Sequence, residues 1–499
     1  MSKMESLDNE FFAEVKFVKK TEIENRTCDV VIVGGGGSGM VAAVRAAECG
    51  ANKVIVLEKT GRVGGNAWMA VCMFAANSAS QRVAGTQICI DEIFKSAMEE
   101  MEWAADPKIV RKYMENSGTL IDWLETKGMA FQPHVWHNTP VMMMPKRQSQ
   151  HPGKDPSHGP GFVGSTVVET MLKEVEQLGV EILLKTKATE LITDENGRVT
   201  GVVATGSDKE IHINANSVVL ASGGFGANKE MLKETFPQFF SRETSICRLS
   251  LGHSTGDGIL MAQAIGAQRG EFPGILLGGP SHHPWSFSVH MSLCRPECVW
   301  INKNGERFVD ENINFKGYYA VSKQPEAIVY GIYDAATRDY MIEKNDVGTD
   351  PSRRDIIFLK GELEKENDGK RVIIANTVED IAEGIGVNPS ALAETVERYN
   401  SFCKSGYDAD FIKSKEFLRP IVQAPFYAVF GHRFFDTTHG GLKINENLEV
   451  IDTKGEVIRG LYAVGDLASG WVTQRYAPTG ASLSWACNSG YMVGEEVAK

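Results

Sequence analysis

The feature that most constrains the fold is a glycine-rich turn between two apolar runs near the N-terminus. Val30–Val33 leads into a turn with Gly34, Gly36 and Gly39, and a helical pattern then leads into Val54–Leu57. This order predicts a βαβ unit. The first glycine permits a tight turn, the second lets the backbone approach a phosphate, and the third lets the helix pack on the strand. The pattern predicts a Rossmann-type dinucleotide-binding domain.

The residues after the second apolar run favour one dinucleotide over the other. Glu58 ends that run nineteen positions after Gly39, where a carboxylate accepts hydrogen bonds from ribose hydroxyls; a solvated strand end is the alternative. The stretch KTGRVGGN (59–66) follows directly, and the sequence has no second dinucleotide fingerprint. Near the C-terminus, Asp466 ends another apolar run, where its carboxylate can hold ribityl hydroxyls. These patterns favour FAD over NAD.

Length and composition limit the classes of protein to which the chain can belong. Its 499 residues are too many for a single core, so we expect two or three domains. The net charge of −12 disfavours a nucleic-acid surface and a basic membrane patch. The nine cysteines include no CxxC pair, and no segment has the pattern of a signal peptide or a membrane span. We therefore expect a cytoplasmic protein without a metal site.

The order of patterns along the chain predicts a nucleotide domain built from both ends of the sequence. Short β-type runs from 188 to 213 predict an antiparallel meander. The residue composition changes near residue 275, where a Pro- and His-rich stretch, GGPSHHPW, begins. We predict an α/β fold: a Rossmann-type, glutathione-reductase-like FAD-binding domain with a β-meander, plus an inserted α+β capping domain. The predicted bounds are an N-terminal extension at 1–27, the FAD-binding domain at 28–275 and 430–499, and the capping or substrate domain at 276–429.

Seven stretches in this order resemble one flavoprotein family, that of fumarate reductase, succinate dehydrogenase, L-aspartate oxidase and the 3-ketosteroid dehydrogenases. They are VIVGGGGSG with VLEK and GRVGGN, LASGGFG, STGDGILMAQAIGA, NKNGERFVDE, THGGLKIN, GLYAVGD and TGASLSWACNSGYMVGEE. The resemblance covers most of residues 28–499. It implies that the active site lies at the junction of the FAD-binding and capping domains.

The same resemblance implies which residues lie near the cofactor. Beyond the glycines, Glu58 and Asp466, they are Lys59, Gly64, Gly65, Asn66, Ala67, Ala188, Asp257, Ser482 and Leu483. Relatives with covalently bound flavin carry a histidine near the position of Ala67, so the resemblance implies non-covalent FAD. One departure is Cys72-Met73, where relatives often have two glycines beneath the flavin ring.

Most residues that would bind a dicarboxylate are replaced in this chain. Fumarate-type relatives clamp the substrate with histidines and arginines and protonate it through an arginine relay. When this chain is aligned with those motifs, it keeps only the substrate histidine, as His283. The positions of the relay and of the other clamp residues are occupied by His290, Met291, Cys294, Phe315, Thr437 and Ala477. Because a dianion needs charge-assisted hydrogen bonds to leave water, this pattern disfavours a C4-dicarboxylate substrate.

The steroid-type relatives match the C-terminal motif better. They place a proton-transferring tyrosine before a glycine whose N–H binds the ketone oxygen, and in RYAPTGAS these positions are Tyr476 and Gly480. A tyrosine is suited to proton exchange at carbon when a neighbour assists its ionisation, and Tyr318 or Tyr319 is the candidate neighbour. The steroid-type relatives have a further tyrosine after the NKNGERFVDE-like segment, and its position aligns with Phe315 in this chain. Packing on the flavin edge is the alternative for Tyr476, and a structural role is the alternative for the tyrosine pair.

Further residues are candidates with two interpretations each. Met142–Met144, with Trp136 and His137 before them, either cover a flat apolar substrate or belong to the core. His439 either approaches the flavin's pyrimidine edge or caps a turn, and Arg475 either adds positive charge beside Tyr476 or forms a surface ion pair. We take His283, Phe315, His439 and Arg475 as the candidate substrate residues.

These observations predict an FAD-dependent oxidoreductase acting on CH–CH bonds. It would transfer hydride between flavin N5 and a C–C or C=C bond of a hydrophobic cyclic ketone, with a ketosteroid-like enone as the leading case. The alternatives are an isoflavonoid reductase of the tetrahydrodaidzein reductase type, a reductase of an unsaturated, fumarate-like carboxylate, and a flavin electron-transfer subunit. The sequence has no haem segment, FMN domain or second nucleotide fold, so an external electron donor or acceptor is expected.

Overall fold

A computed structural model describes residues 22–70, 72–136, 139–145, 163–237, 247–248, 252–281, 287–313, 317–344, 359–475, 478 and 480–499. The strands are β1 Ile23–Val33, β2 Val54–Leu57, β3 Met73–Phe74, β4 Phe131–Trp136, β5 Thr139–Pro145, β6 Glu181–Leu183, β7 Lys187–Thr193, β8 Val199–Thr205, β9 Glu210–Leu220, β10 Cys247–Arg248, β11 Gly274–Ser281, β12 Val299–Ile301, β13 Ile328–Asp334, β14 Val372–Ala375, β15 Phe426–His439, β16 Glu449–Ile451 and β17 Val457–Ala463.

Fourteen α-helices lie within these described residues. They are α1 Gly37–Glu48, α2 Ala79–Val83, α3 Ile90–Glu100, α4 Pro107–Thr126, α5 Val163–Gln177, α6 Lys229–Thr235, α7 Asp257–Ala264, α8 Phe287–Leu293, α9 Tyr318–Ser322, α10 Ala335–Glu343, α11 Leu359–Glu366, α12 Val378–Ile385, α13 Pro389–Ser405 and α14 Ala481–Val497. No helix of the described chain is both long and apolar enough to cross a bilayer.

The chain divides into two compact units. The first combines the described residues of Met1–Ser241, Ser250–Leu276 and Thr437–Lys499, and the second combines those of Arg242–Leu249 and Leu277–Asp436. The predicted bounds, 28–275 and 430–499 for one domain and 276–429 for the other, stay predictions; the second unit also includes Arg242–Leu249. The first unit is thus assembled from both ends of the chain.

The first unit contains an eight-stranded sheet in the order β16-β17-β9-β1-β2-β6, with β8 also paired to β9 and β7 to β8. Strands β1, β2, β6, β9 and β17 pair in parallel, and β7, β8 and β9 form an antiparallel meander. Val30–Val33 and Val54–Leu57 are buried on both faces, as expected for central parallel strands. The predicted α/β fold with a βαβ unit and a meander is confirmed.

Strand β1 begins five residues before Cys28, inside the segment that the sequence assigned to an extension. Its first half pairs with β9 from Ile23↔Glu210 onward, and its side chains there alternate between exposed and half-buried. Arg26 forms ion pairs with Glu24 and with Glu181 on β6. Because charged pairs rather than apolar side chains fill this half of the strand, composition does not reveal it.

Helix α14 packs closely against α1, and the two helices run in the same direction. A Cβ atom on Gly490 would lie 2.4 Å from the Ser38 carbonyl oxygen, and one on Gly494 would lie 3.0 Å from that of Ala42. Both glycines are therefore required for this approach. Since later residues of α14 meet later residues of α1, both helices begin at the same end of the unit, beside the carboxyl end of β1.

The second unit contains a six-stranded sheet in the order β10-β15-β13-β12, in which β11 and β14 also pair with β15. The motif NKNGERFVDE contributes to its buried charge network. The Arg307 guanidinium donates to Glu311 at 3.0 Å and to Asp408 at 3.0 Å, and Lys413 Nζ lies 3.1 Å from Glu311. All four side chains are buried, so each charge requires its partner. This part of the family motif supports the fold of the unit.

Candidate active site

The glycine turn after β1 leaves one open position at the beginning of α1. A Cβ atom on Gly34, where φ is +110°, would lie 2.4 Å from the Ala221 carbonyl oxygen, and one on Gly39 would lie 1.9 Å from that of Gly34. By contrast, nothing in the described chain lies within 4 Å of a Cβ atom on Gly36, the N-cap of α1. Packing explains two of the three glycines, and the third faces a space beside a helix N-terminus, where anions bind.

Glu58 is held at the end of β2 by two backbone donors. Its Oε2 accepts from Gly35 N at 3.0 Å and its Oε1 from Thr60 N at 2.7 Å. The side chain is 8% exposed. A carboxylate has about four acceptor sites, so two remain for ribose hydroxyls. The position fits the predicted role and excludes a solvated strand end.

We expect Glu58→Ala to purify with much less FAD than the wild type. The substitution removes the ribose acceptor and leaves the Gly35 N–H without its partner, which costs about 1–3 kcal/mol for a buried donor. Glu190→Ala, on an exposed position of β7, is the matched control. The flavin-to-protein ratio after purification is the measurement. An undiminished ratio in Glu58→Ala would show that the carboxylate does not hold the ribose.

The segment KTGRVGGN runs alongside the glycine turn. Gly64 N donates to Gly35 O at 2.7 Å, and Gly36 and Gly64 form a parallel bridge. Gly64 and Gly65 have φ values of +114° and +50°, which favour glycine. Asn66 Nδ2 donates to Ser254 Oγ at 3.4 Å. Ala67 lies against the first turn of α1, since a Cβ atom on Gly37 would be 2.9 Å from the Cβ atom of Ala67.

Lys59 and Asp257, both predicted cofactor residues, form an ion pair at 2.6 Å. Lys187 Nζ lies 3.0 Å from the other carboxylate oxygen, and it precedes Ala188, which is buried in β7. Burial raises the pKa of Asp257, but the two ammonium groups outweigh burial and leave that pKa below its usual value. Lys187 was not identified from the sequence, because a single lysine in a meander has no distinguishing pattern.

The N-terminus of α14 joins the same region. Gly480, with φ +82°, is its N-cap, and the Gly480 carbonyl accepts from Phe74 N at 3.0 Å. Leu483 lies beside Gly37, at 3.7 Å from the position of a Cβ atom there, and Ser482 precedes it in the first turn. The first turns of α1 and α14 thus face one region, and each helix N-terminus carries a partial charge of about +0.5.

The methionine run forms strand β5 of a small sheet with β3 and β4. Met143 pairs with Met73 and is fully buried, as the core interpretation requires. Trp136 ends β4. The side chains of Met142 and Met144, and the whole of His137, lie outside the described part of the chain. Strand β3 follows Cys72 and contacts Gly480, so this sheet backs the N-terminus of α14.

His439 and Asp466, predicted separately, contact each other. His439 Nδ1 lies 2.9 Å from Asp466 Oδ1, and the Thr437 hydroxyl donates to Oδ2 at 3.0 Å. The histidine is 1% exposed. Thr437, which replaces a substrate histidine of the fumarate-type relatives, therefore binds a carboxylate of this chain.

The predicted catalytic tyrosines differ in their surroundings. Tyr318 is 3% exposed, and its hydroxyl accepts from Arg433 Nη1 at 3.5 Å. Burial raises the pKa of Tyr318, and the nearby Arg433 guanidinium opposes that rise. Tyr319 is 58% exposed. Both lie in the second unit, whereas Gly480 lies in the first.

The remaining predicted substrate residues are only partly described. Arg475 is 64% exposed and pairs with Glu102 at 2.8 Å, which is the surface ion pair that the sequence left as its alternative. Tyr476, His283 and Phe315 lie outside the described residues. Their roles stay predictions.

Two positions of the family's arginine relay are apolar core positions here. Met291 and Cys294 on and after α8 are each 2% exposed and belong to one core cluster of the second unit. Burial raises the pKa of the Cys294 thiol, so it carries no charge at neutral pH. Among the described residues no group of three or more His, Cys, Asp or Glu side chains could hold a metal ion.

The residues present fit FAD. Gly36 leaves room for a pyrophosphate at the N-terminus of α1, Glu58 has free acceptor sites for a ribose, and Leu483 in the first turn of α14 lies beside Gly37. The requirements of a dinucleotide site at the carboxyl edge of a parallel sheet are met.

Comparisons with known proteins agree with this geometry. The model of the family described as FAD binding domain matches residues 29–483. A vinyl phenol reductase of Lactiplantibacillus plantarum is 29% identical over 94% of this chain and 96% of its own length. The open conformation of a flavocytochrome c3 fumarate reductase has a TM-score of 0.78 at 25% identity, covering 100% of this chain and 81% of its own. A 3-ketosteroid-Δ4-(5α)-dehydrogenase from Rhodococcus jostii RHA1, in complex with 4-androstene-3,17-dione, has a TM-score of 0.71 at 25% identity, covering 97% and 100%.

Proposed function

Because the chain belongs to the FAD binding domain family of flavoenzymes, we propose that it reduces the C=C bond of a neutral, ring-bearing substrate. It is an FAD-dependent oxidoreductase that acts on C=C bonds. The leading substrate class is a hydrophobic cyclic enone of the ketosteroid kind. The FAD is bound non-covalently, and an external donor supplies its electrons.

The loss of the dicarboxylate machinery carries this proposal. Two positions of the arginine relay, Met291 and Cys294, are buried in an apolar core, and Thr437 is hydrogen-bonded to Asp466. The C-terminal clamp position is Ala477 and the proton-donor position is Phe315. A dianion desolvated at such a site would lose several charge-assisted hydrogen bonds, each about twice as strong as a neutral one. A neutral ring substrate does not need them.

Bound FAD supplies the electron pair, and this chain's residues handle the proton and the developing charge. Tyr476 exchanges a proton with the substrate carbon next to the carbonyl, and the Gly480 N–H binds the carbonyl oxygen. The N-terminus of α14 supports that role, because its partial positive charge favours an oxygen that becomes anionic. Of the two candidate neighbours, Tyr318 has the Arg433 guanidinium beside its hydroxyl, whereas Tyr319 is exposed.

A vinyl-substituted phenol is the second candidate substrate. The vinyl phenol reductase matches this chain along nearly its whole length, so no large part of that relative lacks a counterpart here. A vinyl phenol is also neutral and ring-bearing, and its phenol oxygen takes the place of the enone oxygen. An isoflavonoid fits the same description.

A panel of alkenes tests the substrate class. The protein is reduced with dithionite without oxygen, and the return of the oxidised flavin absorbance is followed after addition of a steroid enone, an isoflavone, 4-vinylphenol or fumarate. We expect the neutral ring compounds to reoxidise the flavin and fumarate to react slowly. Reoxidation only by fumarate or a similar acid would contradict the proposal. Exchange with a protein carrier alone would instead indicate an electron-transfer subunit.

A further inference from the structure

Lys187 belongs to a cluster of polar side chains where β7 and α7 begin, just beyond the end of β2. Asp257 Oδ1 lies 3.0 Å from Lys187 Nζ, and Asp257 Oδ2 lies 2.6 Å from Lys59 Nζ. The Thr255 hydroxyl donates to Oδ2 at 2.9 Å and accepts from Lys59 Nζ at 2.7 Å. Three of the roughly four acceptor sites of the Asp257 carboxylate are therefore filled by this chain.

The cluster carries an excess of positive charge. Two ammonium groups share one carboxylate, and Asp257 is the only acidic partner of either lysine within the described residues. An ammonium group has three donor hydrogens, so Lys187 keeps two beyond its contact with Asp257. Lys187 is the most exposed of the three charged side chains, at 34%, so water and salt screen this charge less than that of a lysine on the open surface.

The cluster lies beside the carboxylate that fits a ribose. Thr186 N donates to the Glu58 carbonyl oxygen at 2.9 Å, so Lys187 and Lys59 each follow directly a residue of this contact. In Rossmann-type sites, the acidic residue at the end of the second strand binds the ribose of the adenosine. The two ammonium groups therefore belong to the adenosine end of the dinucleotide site.

We propose that Lys187 supplies positive charge that attracts the adenosine end of FAD, and that Asp257 holds Lys187 and Lys59 in place. The pyrophosphate of FAD is anionic, so a fixed, partly buried cation beside the adenosine strengthens its binding. Without Asp257 the two ammonium groups would repel each other. Asp257 is thus a positioning residue that acts through the lysines. The inference concerns FAD binding and is independent of the proposed substrate class.

The dissociation constant of FAD, measured by flavin fluorescence with the full-length protein, tests the role of Lys187. We expect Lys187→Met to weaken FAD binding about tenfold at low ionic strength, and by less at high ionic strength, because salt screens the lost attraction. Lys187→Arg keeps the charge and should bind FAD nearly as the wild type does. Unchanged affinity in Lys187→Met, or a loss that is the same at every salt concentration, would overturn the proposal.

Lys95→Met is the matched control for the lost charge. Lys95 also pairs with a carboxylate, that of Glu99 at 3.9 Å, but it is exposed on α3. We expect this variant to bind FAD as the wild type does. Weakening of FAD binding equal to that in Lys187→Met would show that only the net charge of the protein matters, and it would contradict a local role of Lys187.

ADP shows at which end of the cofactor Lys187 acts. It contains the adenosine and pyrophosphate of FAD but no flavin ring, and its affinity is measured by competition with FAD for the full-length apoprotein. We expect Lys187→Met to weaken the binding of ADP and of FAD by similar factors. A loss for FAD with an unchanged affinity for ADP would contradict the assignment to the adenosine end.

Asp257→Asn separates positioning from simple attraction. Removal of the acid makes the cluster more positive, so attraction alone predicts tighter FAD binding, whereas loss of positioning predicts binding that is several-fold weaker. In the Lys187→Met background the same substitution should have a smaller effect, because one of the two ammonium groups that Asp257 holds is absent. Tighter binding in Asp257→Asn, or an equal loss in both backgrounds, would contradict the positioning role. A fumarate-specific enzyme would leave these results intact.

Discussion

Gly36→Val is expected to abolish FAD binding while the apoprotein stays folded. A Cβ atom at this position meets no atom of the described chain within 4 Å, and the backbone there, with φ −75° and ψ −173°, is accessible to any residue. The space that its side chain fills is the one assigned to the pyrophosphate. The loss of a favourable N-cap destabilises the fold by about 1 kcal/mol or less. Flavin content and thermal unfolding of the apoprotein are the two measurements.

Gly39→Ala is the matched comparison, because its Cβ collides with protein instead of ligand. The new atom would lie 1.9 Å from the Gly34 carbonyl oxygen, so the strand and the helix must separate. We expect a destabilisation of at least about 2 kcal/mol as well as loss of flavin. If Gly36→Val kept its FAD, or unfolded as Gly39→Ala does, the assignment of the open space to the pyrophosphate would be wrong.

Tyr476→Phe is expected to lower turnover with the best neutral substrate about 100-fold or more while the flavin content is unchanged. Removing a general acid or base has effects of this size, because the proton then comes from water without fixed orientation. Single-turnover reoxidation of the reduced flavin isolates this step. A lower rate with an unchanged substrate affinity would support a role in proton transfer.

Tyr407→Phe is the control for this substitution. Tyr407 lies in the second unit and is exposed, so the loss of its hydroxyl leaves both rate and affinity as in the wild type. Full turnover in Tyr476→Phe would show that the tyrosine only packs near the flavin. The proton would then have to come from another group.

The sequence predicted those parts of the fold whose physical cause is local. The apolar runs around Gly34 and the turn signals of the meander predict strands, because burial on both faces and tight turns each require particular residue types. The early start of β1 was missed, because ion pairs such as Arg26–Glu181 stabilise this part of the strand. In the sequence alone, its charged residues resemble those of a solvent-exposed segment. A structural role for Gly490 and Gly494 was missed for a different reason: the contact they permit is with a helix distant in sequence.

The sequence indicated candidate site residues one by one but not how they are arranged. Motif position indicated Asp466 and His439, yet only the fold places one against the other. Likewise, the sequence offered two interpretations for Arg475, and the structure places it in an ion pair with Glu102. Long-range pairings of polar side chains leave no periodic pattern in a sequence, so they must be read from the structure.

A matched pair of substrates tests the proposed specificity most directly. Fumarate and its dimethyl ester share one C=C bond and differ in charge, so their relative rates of reoxidising the dithionite-reduced protein report whether the site is cationic or neutral. With Met291 and Cys294 in the apolar core and Thr437 bound to Asp466, we expect the diester to react at least tenfold faster than fumarate. Faster reoxidation by fumarate than by its diester would contradict a neutral substrate site.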